Sequence, residues 1–143
     1  MPYDPVMVQP MREELTSIGV KELQTADEVA SFLSEKSGTA LLMVNSVCGC
    51  AAGSARPGLK IALQHDNLPD RVGTVFAGQD LEATAKARSF FGDIPPSSPA
   101  IALFKDGKLV HFVPRHGIEG QDAPSVAFDL VSVFDEHCVK ATK

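Results

Sequence analysis

Cys48 and Cys50 stand one residue apart, with Gly49 between them, in the stretch Leu41-Leu42-Met43-Val44-Asn45-Ser46-Val47-Cys48-Gly49-Cys50-Ala51-Ala52-Gly53-Ser54. An apolar run short enough for one buried strand stops at Asn45 and Ser46, and small residues able to open a helix follow the cysteines. Two thiols therefore fall where a strand hands over to a helix. The unpaired N–H groups of a helix's first turn favour negative charge, so a thiol there ionises more readily and is a better nucleophile. Gly49 permits a tight bend and leaves backbone exposed. With a single residue between them the two sulfurs close only a tight ring, and a disulfide away from relaxed geometry is easier to reduce. The pair is expected to be oxidising, and suited to exchange or isomerisation rather than to bulk reduction.

Three other chemistries compete for these residues. Two small buried hydrophobes need no chemistry at all. Zinc takes thiolate pairs, but neither a second pair nor a spaced His-x-x-His accompanies this one, and the reading calls for no metal and no cofactor. Cys50-Ala51-Ala52-Gly53-Ser54-Ala55-Arg56 fits the Cys-x-x-Gly-x-x-Arg spacing of the phosphate loop in cysteine-dependent phosphatases and arsenate reductases, where N–H groups and the arginine cradle an oxyanion. Asp93 would be its general acid. Against it, Pro57 replaces the usual Ser or Thr after the arginine, and Gly49 stands where many phosphatases have histidine. Arg56 is otherwise a surface arginine near the thiols. Cys138 shares an apolar helix face with Leu130 and Phe134 and reads as a core thiol. His65 and His137 read as surface residues, His111 and His116 flank the last strand, and Arg115 is a cation able to meet an acidic group on a substrate.

The elements that must position the pair follow from the rest of the 143 residues. With 44% hydrophobic residues the chain can bury one core without structural disulfides, and a single domain over residues 1–143 is expected, with 1–19 as an N-terminal extension and short helix. A net charge of -5 without a run of Lys and Arg argues against nucleic acid or anionic membrane as partners. No basic-then-apolar leader opens the chain and no apolar run approaches the roughly 18 residues of a membrane span, so a cytoplasmic protein is expected. In that reducing compartment three cysteines are not a disulfide framework.

Pro2, Pro5 and Pro10 oppose regular structure before a short helix over Met11–Ile18. Val20–Leu23 is a strand candidate. Thr25 with Glu28 makes a capping box opening a helix over Ala26–Lys36, whose apolar face is Val29, Phe32 and Leu33. Thr39–Asn45 lacks alternation, which predicts a strand buried on both faces. A helix over Ser54–His65, kinked or begun by Pro57, a strand over Arg71–Ala77, and an Asp80-capped helix over Leu81–Phe91 follow. Leu81, Ala85, Arg88 and Phe91 would share one side of that last helix. After the extended segment 93–99, Asp106-Gly107 joins strands Ala100–Lys105 and Lys108–Val113 in a hairpin. A helix over Ser125–Lys140 closes the chain. The order predicts an α/β fold of three layers with a mixed central sheet.

A dithiol opening a helix after a central strand, with Ser98-Pro99 introducing a hairpin and Pro57 in the following helix, resembles the thioredoxin-like superfamily. There the proline before the hairpin is in cis and faces the dithiol. Three features depart from it: Cys-x-x-Cys is shortened to Cys48-Gly49-Cys50, tryptophan is absent, and Leu41, Leu42 and Met43 stand where thioredoxins bury an acid. Asn45-Ser46-Val47-Cys48-Gly49-Cys50-Ala51-Ala52-Gly53, with Lys105-Asp106-Gly107 and Arg115-His116-Gly117-Ile118-Glu119-Gly120, looks like the bacilliredoxin family. That resemblance implies a thiol–disulfide oxidoreductase that removes bacillithiol, a small thiol, from protein mixed disulfides; isomerase activity has also been attributed to the family. It implies Cys48 as nucleophile, Cys50 as resolving cysteine, and a substrate-contacting set of Asn45, Ser46, Gly49, Ser98, Pro99 and Arg56. Its partners would be bacillithiolated or disulfide-bonded client proteins. A non-enzymatic adaptor with idle or metal-binding cysteines stays open beside it.

Overall fold

The computed structural model describes residues 3–34 and 37–138. Pro2 and the expected helix ends at Lys36 and Lys140 lie outside them. Five strands form one sheet in the order β1-β3-β2-β4-β5, where β1 is Lys21–Glu22, β2 Thr39–Asn45, β3 Arg71–Phe76, β4 Ala100–Lys105 and β5 Lys108–Val113. β2 runs parallel to β3 and antiparallel to β4. All seven of its residues are buried, which is why its sequence shows no alternation.

Helices cover both faces. Leu41 and Met43 pack with Leu59 and Ala62 of α3 (Arg56–Ala62) and with Leu130 and Phe134 of α5 (Ala123–His137). On the other face Leu42 and Val44 meet Val29 and Phe32 of α2 (Ala26–Leu33) and Ala83 and Ala87 of α4 (Leu81–Ser89). The α2 capping box forms as the sequence indicates, with Thr25 Oγ1 accepting from Glu28 N and Glu28 Oε1 from Thr25 N. Asp106 and Gly107 both take positive φ, 53° and 83°, the backbone a tight hairpin of this twist demands.

Three expectations are corrected. The first ten residues are not irregular: α1 spans Pro5–Thr16. Pro5 sits in its first turn, where a missing N–H costs nothing, and Asp4 caps it by accepting from Val6 N. Asp80 does not cap α4. Its carboxylate instead takes two hydrogen bonds from the Arg12 guanidinium at 2.7 and 3.0 Å, while Glu22 takes a third at 2.6 Å, and so α1 is tied to the sheet. The buried face of α4 is Ala83, Thr84 and Ala87; Leu81 and Ala85 face outward because the small residues let α4 lie close against β3.

Gly58 lets α3 approach α5. A Cβ there would stand 2.7 Å from Val126 Cγ1 and 3.2 Å from the Ala123 carbonyl oxygen. Gly58→Ala is therefore expected to lower stability by about 1 kcal/mol in urea unfolding, after the gain in helix propensity has offset part of the overpacking. Gly53→Ala, whose Cβ meets nothing within 4 Å, is expected to lose nothing.

Candidate functional site

The pairing of Val44 with Ala100 ends β2 and β4 side by side, so the chain leaving β2 at Asn45 and the chain entering β4 from Pro99 adjoin at one sheet end. The Ser98–Pro99 peptide bond is cis. Cys48 follows two residues after Ser46, and its carbonyl accepts from the N–H groups of Ala51 (3.1 Å) and Ala52 (3.2 Å). It thus occupies the cap position of a helical run that begins earlier than Ser54 and ends at Ala62 rather than His65. Residues Ala51–Ala55 form a π-helical turn in which Arg56 N donates to Ala51 O. This wider turn passes the chain to Pro57, which has no N–H to give a regular ladder.

Both cysteines of the pair are half-buried. Ser46 Oγ donates to Cys48 Sγ at 3.1 Å and accepts from Cys48 N at 3.4 Å. Burial pushes the Cys48 thiol up, but the Ser46 hydroxyl, the N–H groups of Ala51 and Cys50 and the Arg115 charge outweigh it, and the net result is a pKa below the ordinary thiol range. The reciprocal attraction of the two sulfurs raises Arg115. Because the thiolate is the reactive form, alkylation of Cys48 should rise with pH through a midpoint below that of a free cysteine. Ser46→Ala is expected to move that midpoint upward and slow iodoacetamide labelling at pH 7, measured by mass spectrometry on the reduced protein.

Cys48 lines a cleft of about 330 Å³ together with Ser46, Ser98, Arg88 and Arg115. Gly49 is exposed, Ser98 is half-buried and Pro99 is buried. Of the expected substrate-contacting residues, Asn45 and Arg56 are corrected. Arg56 is no surface residue: it is 2% exposed, and its Nη1 donates to Asn45 Oδ1 at 2.9 Å and to the Ser46 carbonyl at 2.8 Å while Nε meets Glu14 at 3.0 Å. Asn45 Oδ1 also accepts from Ser46 N at 2.9 Å. These two side chains are spent on holding the loop that carries Cys48. Ser46 touches the thiol itself.

The phosphate-loop reading thereby loses its arginine, and Asp93, exposed on its loop, does not line the cleft. Among the described residues no three His, Cys, Asp or Glu side chains gather as a metal site. Cys138 is buried in the core, where burial raises its pKa, and its neighbour Thr39 begins β2, at the strand end opposite the site. A seven-residue strand puts about 20 Å between those ends. His65 Nε2 lies 2.7 Å from Asp135, and His137 3.8 Å from Glu136. His111 lies on β5 opposite Leu103, and His116 is exposed. Arg88 was missed as a cleft residue, having read only as one side of a helix. No local signal marks it, since Arg88 and Cys48 come to line one cleft only through the fold, with Arg88 Nη2 reaching the Ser97 carbonyl at 3.5 Å.

The family described as disulphide isomerase matches residues 3–138. A bacilliredoxin from Shouchella clausii is 52% identical, covering 98% of this chain and 99% of its own. One from Cytophaga hutchinsonii is 54% identical, covering 94% and 98%. A thioredoxin variant from Halobacterium salinarum superposes with a TM-score of 0.59 at 17% identity, over 87% of this chain and 96% of that one, which speaks for the fold alone. No helix among the described residues is long and apolar enough to cross a membrane. With Cys48, a thiol held toward its thiolate, beside Cys50 at the end of a central strand, and with these matches across nearly its whole length, the chain belongs to the bacilliredoxin family of thioredoxin-fold thiol–disulfide oxidoreductases.

Proposed function

We propose that the chain acts as a single cytoplasmic domain that removes bacillithiol from client proteins, with Cys48 as nucleophile and Cys50 as resolving cysteine. What carries this reading is that Cys48, and not Cys50, lines the cleft, and that Cys48 receives the hydroxyl and N–H groups that stabilise a thiolate. The Cys48 thiolate attacks the bacillithiol sulfur of the mixed disulfide, and the client leaves as its thiolate. Cys50 then attacks Cys48 Sγ, bacillithiol leaves, and a Cys48–Cys50 disulfide remains for a low-molecular-weight thiol to reduce. Each step exchanges one disulfide for another, with no other oxidant needed. On a client's own disulfide the same Cys48 attack gives isomerisation when a different client thiol, rather than Cys50, attacks the client sulfur of the mixed disulfide, so that a new client disulfide forms and Cys48 leaves as its thiolate.

Gly49 supplies the bend between the sulfurs, and Ser98 with Pro99 forms the opposite wall against which a client backbone lies. Arg56 and Asn45 are positioning residues. The test is to add reduced protein to a client carrying a bacillithiol or a glutathione mixed disulfide. The client thiol should be freed as a Cys48–Cys50 disulfide accumulates, faster for bacillithiol. A client that keeps its adduct contradicts the reading. The one-residue spacer further predicts a dithiol potential above thioredoxin's about -270 mV. A value at or below it would remove the ring-strain account.

A further inference from the structure

The cleft beside Cys48 has a charge that the chain as a whole does not. The protein carries a net -5, yet two arginines and no acid line this cleft. Arg115 is exposed, and its nearest carboxylate is Glu119 at 3.5 Å, an exposed pair of little energy. Arg88 is the more telling residue. Its Nη2 makes one long contact, 3.5 Å to the Ser97 carbonyl, while its Nε is buried with no hydrogen-bond partner. No carboxylate among the described residues pairs with it, and burial alone acts on its charge. A guanidinium has five N–H donors in a rigid fork, and one with a single long acceptor in a partly dehydrated cleft is poised for an anion.

We infer that Arg88 and Arg115 form a carboxylate-recognising subsite, which holds the acidic end of a low-molecular-weight thiol while its sulfur meets Cys48. The inference rests on the exchange function proposed above. Arg88 supplies the fork from the α4 side, and Arg115 supplies charge from the turn after β5, where it also favours the Cys48 thiolate. The volume, about 330 Å³, suits one small thiol rather than a folded segment of client. Selectivity for the small thiol then comes from its carboxylates. A neutral thiol of the same length would leave the Arg88 guanidinium without an anionic partner and Arg115 with only its exposed pair to Glu119.

The chemistry read in the test is one exchange: the Cys48 thiolate attacks the alkyl sulfur of an alkyl 2-pyridyl disulfide, and 2-thiopyridone leaves and is followed by its absorbance. Two alkyl groups are compared, mercaptosuccinate with two carboxylates and 2-mercaptoethanol with none, each rate divided by that of the same disulfide with free dithiothreitol. The wild-type protein should prefer mercaptosuccinate by about tenfold, the worth of one hydrogen-bonded charge pair. Arg88→Met should bring that ratio close to one, and Arg88→Lys, which keeps the charge but not the fork, should fall between. Arg71→Met removes the same charge at the opposite end of β3 and should keep the preference. Equal ratios in wild type and Arg88→Met, or an equal fall in Arg71→Met, overturn the subsite while leaving the exchange function standing. No reaction with either disulfide contradicts the exchange function and the subsite together. A second measurement needs no variant: succinate should slow iodoacetamide labelling of wild-type Cys48, and no slowing beyond that of chloride at matched ionic strength overturns the subsite.

Discussion

Cys48→Ser is expected to abolish release of a client thiol from its mixed disulfide, by at least about 10³-fold, because no other thiol of the described chain opens onto the cleft. Cys50→Ala behaves differently. It keeps the first attack and frees one client thiol per protein, then stops, since nothing remains to displace the small thiol from Cys48. Cys138→Ala is expected to keep full turnover. Its sulfur is buried beside Thr39, a strand's length from the pair. Rapid-mixing kinetics of client thiol release separates the three variants: no burst, one burst without turnover, and unchanged turnover. Full turnover in Cys50→Ala would mean that an external thiol resolves the adduct, and the paired mechanism would fall.

The second large effect concerns Arg56. Arg56→Met removes three hydrogen bonds at once, leaving the Ser46 carbonyl without its donor and Asn45 Oδ1 with Ser46 N alone in a dry interior. A loss of about 3 kcal/mol is expected in denaturant unfolding, the scale for deleting one partner of a buried charged network. Glu14→Gln should cost about 1 kcal/mol or less, because that carboxylate is 47% exposed and water replaces much of what it loses. The loop effect is separable from the stability effect. In Arg56→Met the Ser46 carbonyl is no longer held, the Ser46 hydroxyl is less firmly aimed at Cys48 Sγ, and the alkylation midpoint of Cys48 should rise. Arg56→Lys, which can still reach one of the two acceptors, should lie between wild type and methionine in both measurements. A midpoint unchanged in Arg56→Met would limit Arg56 to a structural role.

Much of this architecture is legible from local pattern. The unalternating run 39–45, the Thr25–Glu28 box and the Asp106-Gly107 turn each depend on neighbours in sequence, and the structure places all three where their patterns indicate. Cys48 at a strand-to-helix junction is legible for the same reason. What failed depended on distance. Pro5 breaks a helix interior but supports a first turn, and which it does here depends on Asp4 capping just before it. Asp80 looks like a cap until Arg12, far off in sequence, claims its carboxylate. Arg56 was misjudged because a charged residue near a helix start is ordinarily solvated; only its buried acceptors at the end of β2 show why it lies inside. Arg88 reaches the cleft through packing alone.

The central claim is that Cys48 is the atom that receives the small thiol. It is tested most directly by treating the Cys50→Ala protein with a bacillithiol mixed disulfide and mapping the adduct by peptide mass spectrometry. One bacillithiol mass on the peptide bearing Cys48, released by dithiothreitol and absent from Cys138, is the predicted result. An adduct on Cys138, or none on Cys48 while the protein remains folded, would contradict it.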